Sequence, residues 1–267
     1  MLKEIYLLVK DLIKSRNLIF ELAKNDFKGR YAGSFLGVMW GFINPLITMA
    51  IYWFVFQVGF RTPEMEKVPY ILWMIAGTIP WYFFSDAVNF SSTCLIEYSY
   101  LVKKVVFRVD ILPLAKIISA LFIHIFLVVF IFVMFFLYGY HFDIHYIQIV
   151  YYIIATIYLC IGISWITSAL VVFLKDFSQV IQILLQFGFW LTPIFWSYKM
   201  IPDNLLVFFK LNPMYYIISG FRDTFIEHVW FWERYNQTAY FWIVSSLIFL
   251  GGVLFFRRLK PHFADLL

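Results

Sequence analysis

Long apolar runs, broken by short polar turns, set the pattern of this chain. A bilayer core about 30 Å thick asks for about 20 mostly apolar residues per helical span. Six stretches fit that requirement: 37–60, 69–94, 114–138, 147–174, 178–196 and 240–256. The first thirty residues read differently. Leu2, Ile5, Val9, Leu12 and Ile13 recur at helical spacing while Lys3, Lys10, Lys14 and Arg16 fall mainly on other faces. A basic amphipathic helix of this kind lies along a membrane interface. Segment 197–239 holds two apolar runs, 204–211 and 214–226, set off by Pro193, Pro202 and Pro213. Each is too short to cross, so the pattern predicts a pair of re-entrant helices, with a plain external loop as the simpler alternative. The expected fold is an all-α membrane protein. It has an amphipathic helix over 1–30 and a six-span domain over 31–267, with re-entrant helices before the last span.

Composition strengthens this reading. Of 267 residues, 63% are hydrophobic and 14% charged, against roughly 45–50% and 25% in a soluble domain. Lipid must be the solvent for much of that surface. Fifteen of the 21 Lys and Arg lie in 1–36, 97–116, 175–176 and 257–267, and six on the other side of the spans. Basic residues mark cytoplasmic loops, so both termini and the loop after the second span are expected in the cytoplasm, in a multi-pass membrane protein. No cleavable leader is expected, because the first 36 residues lack a plain apolar stretch before a small-residue cleavage site. Cys94 and Cys160 suggest buried small hydrophobes and neither a disulfide framework nor a metal site.

No G-x-x-x-x-G-K-[ST] loop occurs, so ATP is not expected to be bound or split here. No Ser/His/Asp, HExxH or paired-cysteine pattern points to an enzyme either. What remains are polar groups inside apolar segments. Gln179, Gln182, Gln186 and Trp190 share one face of the fifth span. Amides facing lipid are costly, so this stripe lines either a polar path or an interhelical seam. Gly33, Gly37, Gly41, Asn44 and Thr48 share a face of the first span, where small residues allow close packing or, loosened by Pro45, a path wall beside Trp40. Asp86 and His124 are ionisable groups within spans. Aromatic residues make up 23% of the chain; most suit interfacial belts or core, and rings such as Trp40 and Trp190 also suit stacking on sugar faces. In 97–112, Glu97, Tyr100, Lys103, Lys104, Phe107 and Arg108 mix apolar and basic character, as a short helix docking into a partner's groove would, or as plain positive-inside topology would.

The runs Ile51-Tyr52-Trp53-Phe54-Val55-Phe56, Val68-Pro69-Tyr70-Ile71-Leu72-Trp73-Met74 and Lys103-Lys104-Val105 come in a telling order. Phe107 with Ile111-Leu112-Pro113, Leu191-Thr192-Pro193-Ile194, Leu211-Asn212-Pro213-Met214-Tyr215-Tyr216 and Phe263-Ala264-Asp265-Leu266-Leu267 follow them. Together they resemble the polysaccharide and polyol-phosphate export permeases of the ABC-2 type, the teichoic-acid translocation permeases above all. Each motif is short, and their order and spacing run nearly end to end. The resemblance implies a homodimer of six-span subunits bound to two copies of a separate ATPase, which holds ATP and Mg. The cargo implied is a polymer linked to undecaprenyl diphosphate, and 97–112 would be the coupling segment. Where the family often has Phe-Pro-Arg, this chain reads Phe107-Arg108-Val109. O-antigen or capsular polysaccharide is the alternative cargo; membrane lipids are partners and nucleic acid is not. An ion-coupled secondary transporter is the rival class, disfavoured by the lack of an internal repeat, as a lipid-modifying enzyme is by the lack of a catalytic constellation.

Overall fold

A computed structural model describes Leu12, residues 14–104 and residues 107–267. Among these residues no strand forms, and Met65 and Val68 make one isolated antiparallel bridge. The main helices are α1 (Arg16–Arg30), α2 (Met39–Trp53), α3 (Tyr70–Ser92), α4 (Ile111–Leu137), α5 (Ile149–Phe173), α6 (Phe177–Leu191), α7 (Asp203–Lys210), α8 (Pro213–Arg222) and α9 (Tyr235–Leu259). The π-helical turn Phe54–Gly59 extends α2, and the 3₁₀ turn Ile144–Gln148 leads into α5.

Five of these units are long and apolar enough to cross a membrane: Met39–Gly59, Tyr70–Ser92, Ile111–Leu137, Ile144–Phe173 and Tyr235–Leu266. The fifth expected span, 178–196, differs. α6 stops at Leu191, five residues before the expected end. Thr192 is extended, as the residue before a proline prefers, and its hydroxyl folds back onto the Gly188 carbonyl at 2.6 Å. Fifteen residues rise only about 22 Å. The last helix starts five residues before the expected 240, since Tyr235, Asn236, Gln237 and Thr238 continue it in polar surroundings.

α3 is the centre of the bundle. In its most apolar stretch 78% of residues are buried, against 11% in the α2 unit. α3 packs on α4, α5 and α8, while α9 packs on α5. The α5–α9 pair is close because Gly162 and Gly252 meet: a Cβ on Gly252 would stand 2.5 Å from the Gly162 carbonyl oxygen. α1 lies on α4 through Ile19, Ala23 and Phe27. Of the amphipathic stripe expected before it, Leu12 is described and is partly buried against the Ile19–Ile111–Ala115 cluster; Leu2, Ile5, Val9 and Ile13 lie outside the described residues.

Three separate stretches gather at one end of the bundle. Leu95, Val102 and Leu112 pack with Val172 at the end of α5, with Phe256 of α9 and with Phe263 near the carboxyl end. Leu12 and Leu22 lean on the same cluster, and Lys260 donates to Asp110 at 2.6 Å. At the opposite end Tyr70, opening α3, donates to the Phe195 carbonyl. The Arg222 guanidinium there donates to the Pro193 and Ile194 carbonyls at 2.6 and 3.0 Å and lies 3.4 Å from the Trp73 ring. α6 and the bend after it therefore lead from one end to the other. α7 and α8, of 8 and 10 residues, are each too short to cross. α8 is buried from Met214 to Ile218, whereas Leu205, Val207 and Phe208 of α7 are exposed.

Candidate functional site

A polar groove runs along the exposed side of α3, between α2 and α6. Tyr31, Trp40, Gly41, Asn44, Pro45, Thr48, Tyr82, Asp86 and Ile123 line a cavity of about 200 Å³. Next to it, Tyr52, Trp81, Tyr82, Ser85, Asn89, Gln182, Leu185, Gln186 and Phe189 line one of about 410 Å³. Tyr82 borders both. Spacings of three and four put Tyr82, Ser85, Asp86 and Asn89 on one face of α3, and Gln182 and Gln186 on one face of α6. Pro45 cannot give an N–H to the Gly41 carbonyl, so the helix opens a backbone acceptor beside the cavity. Gly41 lets the Tyr31 hydroxyl come close to α2: a Cβ there would stand 2.7 Å from it, and the Tyr31 ring would have to swing aside.

The groove gathers five of the seven expected path residues: Trp40, Asn44, Thr48, Gln182 and Gln186. Gln179 is exposed on α6 but outside both linings. Trp190, half exposed, stands against Phe189 and Phe195 and also outside them. Parts of the two predicted faces flank α3 within one chain, but Gly33 and Gly37 precede α2 at positive φ and so do not share its face with Gly41, Asn44 and Thr48. Of the α3 stripe, sequence reasoning had singled out only Asp86. The three-and-four spacing was there to be read, hidden among Trp81, Phe83 and Phe84.

The segment 97–112 is not one helix. Two single turns, Cys94–Glu97 and Ser99–Val102, precede α4. Glu97 accepts from Lys116 Nζ and from the Thr93 hydroxyl. The same Lys116 donates to Asp26 Oδ1 at 2.5 Å, Tyr98 donates to that oxygen at 3.2 Å, and Arg30 holds Oδ2 at 2.6 Å. This network fastens the segment to α1 and α4. Burial would raise the Asp26 pKa, yet Arg30 and Lys116 beside it hold the carboxyl below its usual range. Phe107 is half-buried against the chain's own apolar clusters. Glu97, Tyr100, Lys103, Lys104 and Arg108 are exposed, so the exposed side chains among the segment's described residues are three cations, one aromatic ring and the carboxylate held by Lys116.

The groove offers amides, hydroxyls, a carboxylate and ring faces, but no nucleophile–base pair is assembled among these lining residues. Such walls suit passage or binding of a hydroxyl-rich chain: amides and hydroxyls bond to hydroxyls, and rings cover the apolar faces of sugars. The O-antigen export system permease protein RfbA of Klebsiella pneumoniae is 27% identical over 253 residues, covering 94% of this chain and 95% of that protein. The protein of the same name from Myxococcus xanthus is 27% identical over 224 residues, covering 83% and 85%. The profile of the ABC-2 type transporter family matches residues 17–226, most of the chain from α1 to the turn after α8, and the chain belongs to that family.

Proposed function

We propose that this chain is the permease subunit of an ATP-driven exporter, working as a homodimer with two copies of a separate ATPase. Its cargo is a lipid-linked polysaccharide of the O-antigen kind. The groove between α2, α3 and α6 carries this reading: a hydroxyl-rich polymer needs a continuous polar wall through hydrocarbon, while its lipid anchor stays in the bilayer. α6 with the bend after it makes the fifth of six crossings, α7 and α8 re-enter from the outer side, and both termini face the cytoplasm. That orientation follows the basic residues, which cluster at the end where α1, segment 94–112 and the carboxyl terminus meet. Tyr100, Lys103, Lys104 and Arg108 face the ATPase, with Glu97 and Phe107 anchoring the segment to its own subunit. A polyol-phosphate cargo is the second reading, favoured by the motif order in the chain; the relatives favour polysaccharide.

A strain lacking the chain, complemented with wild type or with Lys103→Glu/Lys104→Glu, tests the proposal. Wild type restores surface polymer. The double variant inserts at wild-type level, yet lipid-linked polymer accumulates inside, and its composition separates sugar from polyol phosphate. Normal surface polymer without the chain contradicts the proposal.

A further inference from the structure

Away from the groove, at the end where Arg222 lies, two loops far apart in sequence bring three metal-ligating side chains together. Asp143 and His145 lie in the turn that enters α5, and His228 follows the π-helical turn Asp223–Glu227 behind α8. Asp143 Oδ1 accepts the backbone N–H of His145 at 2.8 Å and also contacts His145 Nδ1. The same oxygen lies 3.5 Å from His228 Nδ1. One carboxylate oxygen and two imidazole nitrogens thus stand within 4.8 Å of one another.

The surroundings fix these groups in advance. Gln148 is buried and grips the second loop by both ends of its amide: Nε2 donates to the Val229 carbonyl at 2.9 Å, and Oε1 accepts the Phe231 N–H at 3.0 Å. His228 has φ +54° and ψ +47°, the left-handed region that non-glycine residues seldom occupy. Such a conformation persists where its surroundings over-determine it, and here Val229 N–H also donates to the Asp223 carbonyl at 3.1 Å. The Trp230 ring lies 4.6 Å from the His145 ring, and the Tyr146 ring faces His228. All three side chains are partly exposed, so an ion can reach them from water.

Four-coordinate zinc, with nitrogen and oxygen ligands at about 2.0–2.1 Å, spaces adjacent ligand atoms roughly 3.3 Å apart. Asp143 and His228 already have that spacing, and the Asp143–His145 hydrogen bond needs only to open around the ion. Two imidazoles with one carboxylate suit zinc or its neighbours, whereas calcium and magnesium prefer all-oxygen shells. We infer that Asp143, His145 and His228 form a site for a divalent transition metal of the zinc class, with water as fourth ligand, clipping the α4–α5 turn to the loop between α8 and α9.

Chelator-treated, tag-free protein in detergent, titrated with Zn²⁺ alone, is expected to take up one tight equivalent per chain and to melt at a higher temperature. His145→Ala and His228→Asn, the latter keeping a residue that tolerates the left-handed backbone, each weaken uptake by more than about tenfold. His262→Ala, at the other end of the bundle, leaves it unchanged. Co²⁺ bound to the unaltered chain reads the site without any substitution, through the intense visible bands of four-coordinate cobalt. Zinc uptake equal in wild type and both site variants, or a cobalt spectrum like that of the aqueous ion, overturns the inference.

Discussion

Lys116 shows how one side chain ties elements together at the end of the bundle that carries both the α1 helix and the carboxyl terminus. It is buried, and it is shared between Asp26 of α1 and Glu97 before α4. Breaking a buried pair from one side strands the other charge and costs about 3–5 kcal/mol. Asp26 keeps Arg30 as a partner at 2.6 Å, so Lys116→Met should fall at or below the low end of that range, about 1–3 kcal/mol in mixed-micelle unfolding. A carboxyl whose folded pKa lies below its unfolded value stabilises the fold at every pH above the unfolded value, and loses that contribution as pH falls through the folded one. The stability difference between wild type and Asp26→Asn should then be flat from neutral pH down to about 4 and shrink below. A difference that shrinks already between pH 7 and 5 would contradict the ionised assignment of Asp26. Arg222 plays a comparable part at the other end, where its two donors satisfy carbonyls exposed by the Thr192–Pro193 break.

At the scale of elements, the α5–α9 seam makes a sharp comparison. Gly252 faces the Gly162 backbone, which cannot swing away as a flexible side chain would, whereas a Cβ on Gly251 meets nothing within 4 Å. Gly252→Ala should cost about 1–3 kcal/mol by overpacking, and Gly251→Ala close to nothing; equal effects in the two melting curves would mean the seam is loose. The long helices were legible in the sequence because twenty-odd apolar residues have few other solutions. The end of α6 was missed because hydropathy runs on past Leu191 through Pro193-Ile194-Phe195-Trp196, while backbone geometry stops the helix at Thr192. In 97–112, where a short docking helix was one of two expectations, the described chain forms the turn Ser99–Val102, tied to α1 by the Tyr98–Asp26 hydrogen bond between residues 72 positions apart. Amides on α6 and small residues on α2 were legible as stripes, but the α3 face between them was masked by aromatic neighbours. The Asp143–His145–His228 cluster had no local spacing to betray it, since the histidines meet only through the fold.

For the molecule as a whole, the division of surfaces carries the account. α3 is enclosed, while α2 and α6 expose Ile47, Ile51, Phe54, Ile183, Leu184 and Phe187 and flank the polar groove from either side. Lipid and a second copy of the chain would cover the apolar parts, leaving the groove as the wet route. A packed seam would instead exclude water from Gln182 and Gln186 in every state. The native thiols Cys94 and Cys160 are both fully buried, so single introduced cysteines can be read against a low background. The decisive measurement is labelling of Gln182→Cys and Gln186→Cys by a water-soluble thiol reagent, in membranes that also hold the ATPase, with and without trapped nucleotide. Leu184→Cys, which faces the apolar cavity on the other side of α6, is the control for lipid exposure, and Lys199→Cys, exposed at the end where α3 begins, for reagent access. The account predicts that both glutamine positions label, that their rates change when nucleotide is trapped, and that position 184 stays silent. If positions 182 and 186 remain unlabelled in both states while position 199 reacts, the polymer's path does not run through this groove.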